Sequence, residues 1–288
     1  MAGLAFPTTV PGDRAQGRET TAMASLGLRF PMFSRKWDLV TEANAAPPNA
    51  LDETATELLD GLFGWLADAY FRTEVSGLDH VPRAGPALLV ANHSGAVGLD
   101  AFVLHKLLHR ALGRPVHVYA SALVFRLPPL AAYARRHEAF SDDPTLGRDR
   151  LAAGHLVAVF PEGLDGVGKP FSERYRLRPF NPGFAATAVR TGAPVVPVSV
   201  VGAEESCPKL GEVRALARRF GLPYFPLTTP LPFPAKWRVT VGEPIPAPAA
   251  AASYAARSTA ARRLCDEVWC TVQSMVDRDR ERRASPFW

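Results

Sequence analysis

Apolar side chains recur every three or four residues from residue 57 onward, which is the spacing of one face of a helix. Aliphatic residues set the interval and aromatic residues widen the face, at Leu58, Leu62, Phe63, Trp65, Leu66, Ala69, Tyr70 and Phe71. The pattern predicts an amphipathic helix. Such a face more often packs against a protein core, but an aromatic-rich face is also typical of helices that dock into lipid.

Short apolar runs follow farther along the chain, bounded by polar or turn-forming residues. They predict five strands, at residues 87–91, 116–119, 156–160, 194–201 and 237–241. Helical segments, among them residues 101–110, separate most of these runs. The alternation predicts an α/β fold: an open, mostly parallel central sheet flanked by helices on both faces, with the amphipathic helix N-terminal to it. Ligands of such sheets gather at the carboxyl ends of the strands.

Residues 1–50 mix proline, glycine, alanine and charged residues without a period, which predicts a flexible, irregular N-terminal segment. We expect residues 51–288 to form a single domain, because 47% of the residues are hydrophobic and supply a buried core. No apolar run reaches the ~20 residues needed to cross a bilayer. The first residues also lack the pattern of a secretory signal, so we expect a cytoplasmic protein.

Cysteine spacing and net charge narrow the classes further. The chain has three cysteines, Cys207, Cys265 and Cys270, without a CxxC pair, which predicts neither a zinc site nor a disulfide framework and favours a reducing compartment. The net charge of +5 permits anionic partners such as nucleic acid, acidic lipid or phosphorylated ligands. The basic residues lack a recognition helix or an aromatic-interleaved sheet motif, so we do not expect nucleic-acid binding.

Residues 88–100 read LLVANHSGAVGLD and place His93 in a loop at the end of a predicted strand. Histidine titrates near neutral pH, so His93 can take a proton from a hydroxyl as that hydroxyl attacks a carbonyl. Asp100 can fix the imidazole tautomer and stabilise the imidazolium, if Gly95 and Gly98 let the loop fold back. The alternatives are that Asp100 caps the following helix and that His93 has no chemical role.

A second strand runs into Pro161, Glu162 and Gly163. Glu162 can accept hydrogen bonds from a polyol or anchor an arginine that grips phosphate. Basic residues that can neutralise phosphate oxygens follow it, at Lys169, Arg174, Arg176 and Arg178. The alternatives are an acidic surface turn and a solvated basic loop.

Three motifs together resemble the phospholipid and glycerol acyltransferase family, of the 1-acylglycerol-3-phosphate acyltransferase type. They are Asn92-His93 with the downstream Asp100, Phe160-Pro161-Glu162-Gly163, and Val195-Val196-Pro197-Val198 after Gly192-Ala193-Pro194. The resemblance covers about residues 75–246, with the motifs in the family's order.

The resemblance implies transfer of a fatty acyl group from acyl-CoA or an acyl carrier protein to a hydroxyl of a lysophospholipid or glycerol-phosphate acceptor. It implies no metal, no cofactor beyond the acyl thioester co-substrate, and no covalent acyl-enzyme. His93 would be the general base and Asp100 its orienter, and Pro197 would shape the acyl-side pocket. The expected substrate-binding residues are Asn92, Ser94, Gly95, Glu162, Gly163, Lys169, Arg174 and Arg178.

The sequence departs from the family pattern at two places, and each departure leads to an expectation about the structure. Six residues separate His93 from Asp100 where the family usually has four, so the loop must bulge. The family's phosphate-binding arginine motif is replaced: Arg135 and Arg136 precede Phe140, and residues 141–143 occupy the motif position as Ser-Asp-Asp. We therefore expect the basic residues after Gly163 to bind the phosphate.

A proline-rich apolar stretch at residues 221–234 predicts a loop, because so many prolines fit neither a helix nor a central strand. It would cover the core, an acyl chain or the membrane interface. With the apolar face around Trp65 it predicts peripheral attachment to a membrane surface. The competing interpretations are an ester or thioester hydrolase, in which His93 activates water, and a non-catalytic lipid-binding protein of the same fold.

Overall fold

In the computed structural model, which describes residues 50–141, 144–222, 224–248 and 253–287, the predicted apolar runs all form strands. The eight strands are β1 Glu74–Ser76, β2 Ala87–Ala91, β3 Val116–Val118, β4 Leu156–Val159, β5 Val195–Val201, β6 Gly211–Glu212, β7 Pro226–Leu227 and β8 Arg238–Val241. β1 has only three residues, and its first and last residues are exposed, so the sequence contains no apolar run that would predict this strand. The N-terminal segment predicted at residues 1–50 lies outside the described residues except for Ala50.

Six of these strands form one sheet in the order β1-β8-β5-β2-β4-β3. All neighbouring pairs are parallel except β5 and β8, which run antiparallel. β6 and β7 form a separate two-stranded sheet. The prediction of an open, mostly parallel α/β sheet is confirmed.

Nine α-helical segments lie within the described residues. They are α1 Ala50–Trp65, α2 Leu99–Leu112, α3 Pro128–Arg136, α4 Pro144–Ala152, α5 Gly163–Val167, α6 Gly183–Thr191, α7 Ala203–Ser206, α8 Arg214–Phe220 and α9 Tyr254–Glu281. A π-helical turn, Leu66–Tyr70, continues α1. Among the helices of the described residues, none is long and apolar enough to cross a membrane.

The sheet separates two apolar layers, because successive side chains of a strand point to opposite faces. Along β2, Leu89 belongs to the layer with α1 and α2, while Leu88 and Val90 belong to the layer with α6 and α9. Every residue of β2 and β5 is buried. These two central strands therefore form the buried middle of the sheet, and the loops at their carboxyl ends are anchored to it.

The predicted amphipathic helix forms, and part of its predicted apolar face is buried. Phe63 and Leu66 are buried in the core, whereas Leu58 and Leu62 are exposed to 70% and 45% and Trp65 to 53%. The predicted set therefore contains both core-facing and solvent-facing residues. Apolar residues cover both sides of α1, so periodicity alone could not select the side that packs.

Candidate active site

β2 ends at Ala91 and brings Asn92 and His93 to the carboxyl edge of the sheet. The Asn92 side chain is buried, and its amide exchanges two hydrogen bonds with the backbone of Val200, which accepts at 2.9 Å and donates at 2.7 Å. The expectation that Asn92 binds substrate is therefore not supported by its position. Asn92 instead fastens the start of the loop to β5.

Asp100 lies in the first turn of α2 with its side chain fully buried. Its Oδ2 accepts hydrogen bonds from His93 Nδ1 at 2.9 Å and from the Ser94 amide at 2.7 Å. The N-cap position belongs to Gly98, and no side chain caps this helix. The geometry thus contradicts the capping alternative and brings the two predicted partners together.

The loop between His93 and Asp100 turns back through two glycines. Gly95 has φ of +82° and Gly98 has φ of +67°, the left-handed region that side chains with a Cβ rarely adopt. A Cβ on Gly95 would also lie 2.7 Å from the Ala203 carbonyl oxygen. These turns accommodate the six intervening residues, so the longer spacing still allows contact.

The ionised Asp100 carboxylate can only accept a hydrogen bond, so His93 Nδ1 carries a proton, and in the neutral imidazole Nε2 then holds the lone pair. Nε2 makes no hydrogen bond within the described part of the chain. The ring packs against Phe160 at 4.6 Å between centroids, and its side chain is 15% exposed. A Cβ on Gly98 would lie 3.8 Å from Nε2, so this glycine leaves the basic nitrogen open.

His93 lies in the wall of a cavity of about 920 Å³. Its other walls come from α2, from the segment between β3 and α3, from α3 itself and from the proline-rich loop, represented by Phe102, Val124, Leu130 and Leu222. Among the described residues that line the cavity, none is a lysine or an arginine. The cavity therefore places the His93 imidazole beside a predominantly apolar interior.

Glu162 is buried beneath the loop rather than directed into the cavity. Its Oε1 accepts a hydrogen bond from the His93 amide at 2.9 Å, and its Oε2 accepts one from the Arg178 amide at 2.7 Å. Lys169 Nζ lies 3.3 Å from the same Oε2. The expected contacts of this carboxylate with a polyol or a guanidinium are therefore wrong: it joins the His93 loop to the segment around Arg178.

Comparisons with known proteins identify a domain within the chain. Residues 72–201 match the family model described as Acyltransferase. This segment therefore corresponds to an acyltransferase domain. The resemblance inferred from the three motifs is thereby confirmed, and all three motifs lie within the matched region.

Relatives of this chain include an uncharacterized protein of Mycobacterium tuberculosis, 42% identical over 222 residues that make up 73% of this chain and 62% of that protein. A human protein, the DGAT1/2-independent enzyme synthesizing storage lipids, is 28% identical over 209 residues, 71% of this chain and 61% of that protein. The chain thus spans about three fifths of the length of these relatives.

A solved structure shows the same fold. The crystal structure of PlsC, the 1-acyl-sn-glycerophosphate acyltransferase of Thermotoga maritima, aligns with a TM-score of 0.54 over 87% of this chain and 91% of that chain. The two sequences are 20% identical. The two chains therefore share a fold.

The basic residues after Gly163 divide into two groups. Lys169 is buried and bonded to Glu162, to Glu204 and to the Arg176 carbonyl, so the expectation that it binds phosphate is wrong. Three arginines retain partly or fully exposed side chains: Arg174, which lies over the Phe171 ring, Arg176, and Arg178, which pairs with Glu173. Only this exposed group remains available to an anionic ligand.

The remaining predicted residues are placed as follows. Ser94 is buried, and its amide already donates to Asp100 and is not free to bind an oxyanion, while its hydroxyl makes no hydrogen bond among the described residues. Gly163 lines the cavity next to Phe160. Pro197 lies in the middle of β5, and a Cβ on Gly242 would approach it to 2.9 Å, so it shapes the sheet interior and not the cavity.

Sequence reasoning missed α7, which lies next to the His93 loop and carries two buried acidic residues. Glu204 accepts a hydrogen bond from the Tyr175 amide at 2.7 Å and lies 3.1 Å from Lys169 Nζ. Arg283 Nη2 pairs with the neighbouring Glu205 at 2.6 Å. The Ala96 amide donates to the Cys207 carbonyl at 2.8 Å. No local motif marks these residues, and the signal available was an acidic pair directly after a buried strand.

Burial raises the pKa of Glu204 to about 7, with Lys169 acting in the opposite direction. A carboxyl group with a raised folded-state pKa stabilises the fold fully below its unfolded pKa, and this contribution is lost as pH rises through the folded pKa. Between pH 5 and 8 we expect the free energy of unfolding to fall by roughly 2–3 kcal/mol through this group, and Glu204→Gln to abolish that part.

Urea unfolding at both pH values measures this difference. Glu57→Gln, which changes an exposed glutamate of α1, is the matched control and should retain the wild-type dependence. An equal pH dependence in wild type and Glu204→Gln would show that Glu204 titrates normally.

Proposed function

We propose that this acyltransferase moves a fatty acyl group from an acyl thioester to a hydroxyl of a glycerolipid-type acceptor, with His93 as general base and Asp100 as its orienter. One observation carries the proposal: His93 Nδ1 is bonded to the buried Asp100, while Nε2 stands unbonded in the wall of an apolar cavity. That arrangement suits a base that takes a proton from a bound hydroxyl. No metal and no cofactor other than the thioester takes part.

The chemical step is a direct substitution at the thioester carbonyl. The acceptor hydroxyl oxygen bonds to the carbonyl carbon as its proton passes to His93 Nε2, and Asp100 stabilises the imidazolium. The tetrahedral intermediate then breaks its carbon–sulfur bond. The leaving sulfur takes the proton back from Nε2, which yields an ester, a free thiol and the neutral imidazole.

The oxyanion of the intermediate requires hydrogen-bond donors. The Ser94 amide donates to Asp100, the Ala96 amide to Cys207 and the Gly98 amide to Gly95. In the described structure the amides of Gly95 and Val97 have no such acceptor, which makes them the donors that remain. Gly95 thus keeps the binding role expected from the sequence, and Ser94 does not.

The cavity supplies an acyl site of adequate size. Its volume of about 920 Å³ lies within the range of small-molecule pockets, and its lining is predominantly aliphatic and aromatic. Burial of a hydrocarbon chain there would hold the thioester carbonyl beside His93. The donor is acyl-CoA or an acylated carrier protein, and the cavity's chemistry suits both, because both present the same acyl thioester.

Two kinds of acceptor fit different observations. A lysophospholipid or glycerol phosphate would place its phosphate among the exposed Arg174, Arg176 and Arg178, whose segment is tied to the His93 loop through Glu162. A neutral glycerolipid is favoured by the absence of lysine and arginine from the described cavity lining. The name of the human relative, an enzyme synthesizing storage lipids, also supports a neutral glycerolipid acceptor.

Incubation of the purified chain with acyl-CoA or acylated carrier protein and a mixture of lysophospholipids, glycerol 3-phosphate and neutral glycerides tests the proposal. Mass spectrometry should find a new ester that forms only when an acceptor is present. Release of free fatty acid regardless of acceptor would instead indicate a hydrolase. Lipid retention without any product would indicate a binding protein.

Exposed apolar residues form a continuous surface beside the cavity, which we call the apolar surface. The Trp65 and Tyr70 rings lie 5.1 Å apart, and the Tyr70 hydroxyl donates to the Pro232 carbonyl at 2.7 Å, so α1 adjoins the proline-rich loop. The exposed members are Leu51, Leu58, Leu62, Trp65, Leu227, Leu231 and Phe233. Leu227 also lines the cavity. We propose that this surface docks onto the cytoplasmic face of a membrane, so that lipid substrates enter directly.

Leu58→Glu combined with Leu62→Glu is expected to lower the fraction of protein that co-floats with anionic liposomes by more than about tenfold, since each leucine loses its favourable transfer into lipid. Leu210→Glu with Tyr254→Glu is the control, because it makes the same charge change at exposed positions outside the apolar surface. A wild-type chain that does not float with liposomes would contradict the docking proposal.

A further inference from the structure

Three histidines converge at one wall of the cavity. His105 lies in α2 and His109 one turn later, while His137 directly follows α3. One ring nitrogen from each of the three lies within 4.8 Å of the other two. His105 and His137 line the cavity, whereas His109 is exposed to solvent. The cluster therefore stands at the junction of two helices, with access from outside.

His105 has no hydrogen-bond partner although it is 5% exposed. Both of its ring nitrogens are buried without a donor or acceptor in the described structure, and so is Nε2 of His137. Buried polar atoms are nearly always paired, so each exception requires an explanation. An ion that binds a lone pair of each ring would satisfy a buried nitrogen of His105 and of His137, with the exposed His109 beside them.

We propose that His105, His109 and His137 bind a divalent transition-metal ion of the zinc class. Imidazole nitrogen is a preferred ligand of such ions, and two histidines four residues apart lie on the same side of a helix. Nitrogens around a tetrahedral ion lie about 3.3 Å from one another, so modest side-chain rotations close the site.

Asp60 of α1 completes the surroundings. Its Oδ1 lies 3.6 Å from His137 Nε2, and its Oδ2 pairs with Lys106. A carboxylate in this place serves as the fourth ligand or as a hydrogen-bond acceptor that orients a coordinating imidazole.

The ion would brace the wall of the acyl cavity. α2 carries Asp100 in its first turn and His105 and His109 farther along, and α3 supplies Tyr133, Ala134 and Leu130 to the cavity lining. Fastening His137 to α2 would hold these two helices together where an acyl chain lies. The site is separate from the proton transfer at His93, so metal binding and acyl transfer can be measured independently.

Titration of the metal-free, tag-free full chain with Zn²⁺ in competition with a chromophoric chelator tests the proposal. Wild type should bind one equivalent, and Co²⁺ in its place should show the intense visible absorption of a four-coordinate site. Zn²⁺ should also raise the melting temperature. His109→Ala, which changes an exposed side chain, should weaken binding more than about 100-fold, because even loss of an outer hydrogen-bond partner costs ten- to a hundredfold.

His155→Ala changes an exposed histidine outside the cluster and should bind like wild type. His137→Ala should behave like His109→Ala, and if it fails to fold, His109→Ala decides alone. Equal affinity in wild type and His109→Ala, or no stoichiometric binding by wild type, would overturn the proposal.

Discussion

His93→Ala is expected to lower the rate of acyl transfer by about 10³-fold, the middle of the range that a positioned general base contributes. Alanine removes the only nitrogen that we place beside the acceptor hydroxyl. The cavity and the loop should remain, because the Asn92, Ser94 and Glu162 contacts involve other atoms or the His93 backbone. Acyl-CoA binding should therefore persist while turnover is lost.

The stability of this variant is the check on its interpretation. Asp100 loses one of two donors in a buried position, which costs on the order of 1–3 kcal/mol, so the melting temperature should fall by only a few degrees. His155→Ala removes an exposed imidazole and should keep wild-type activity. Full turnover by His93→Ala, measured with radiolabelled acyl-CoA, would refute the assignment of the base.

Asp100→Asn is expected to lower turnover by about 10²-fold, a smaller loss than for His93→Ala. The Ser94 amide and His93 Nδ1 both donate to the same oxygen, Oδ2, so an asparagine that places its carbonyl oxygen there keeps both hydrogen bonds. The imidazole tautomer is then preserved. What disappears is the negative charge that stabilises the imidazolium, so kcat should fall while KM changes little.

Asp79→Asn, at an exposed aspartate, is the matched control and should leave kcat unchanged. A variant Asp100→Asn that loses melting temperature but retains wild-type kcat would show that Asp100 has a structural role alone. The combination of kcat and melting temperature thus separates the two roles, which a measurement of stability alone does not.

The site explains how a longer loop can bring together the same pair of side chains. His93 follows a buried strand and Asp100 opens a helix, so the frame sets both ends of the connection. Left-handed turns at Gly95 and Gly98 fold the extra residues against α7. The number of residues between the histidine and the aspartate can therefore vary, provided that the loop has glycines where the backbone reverses direction.

The sequence by itself predicted five of the strands, the fold class, the resemblance to acyltransferases and a contact between His93 and Asp100. These depend on local features: runs of apolar residues define buried strands, and glycines mark where a short loop can turn back. Motif order along the chain then identified the family without any knowledge of packing.

Only the tertiary structure decided which polar residues are bonded to other protein groups and which remain accessible to a ligand. Glu162 and Lys169 looked like ligands for substrate, yet each is bonded to partners far away in the sequence, and burial withdraws them from the cavity. The sequence also did not predict which side of α1 is exposed, or that His105 and His137 lie close together. Hydrophobic periodicity is local information, whereas burial and pairing depend on contacts between distant segments, which exist only once the chain has folded.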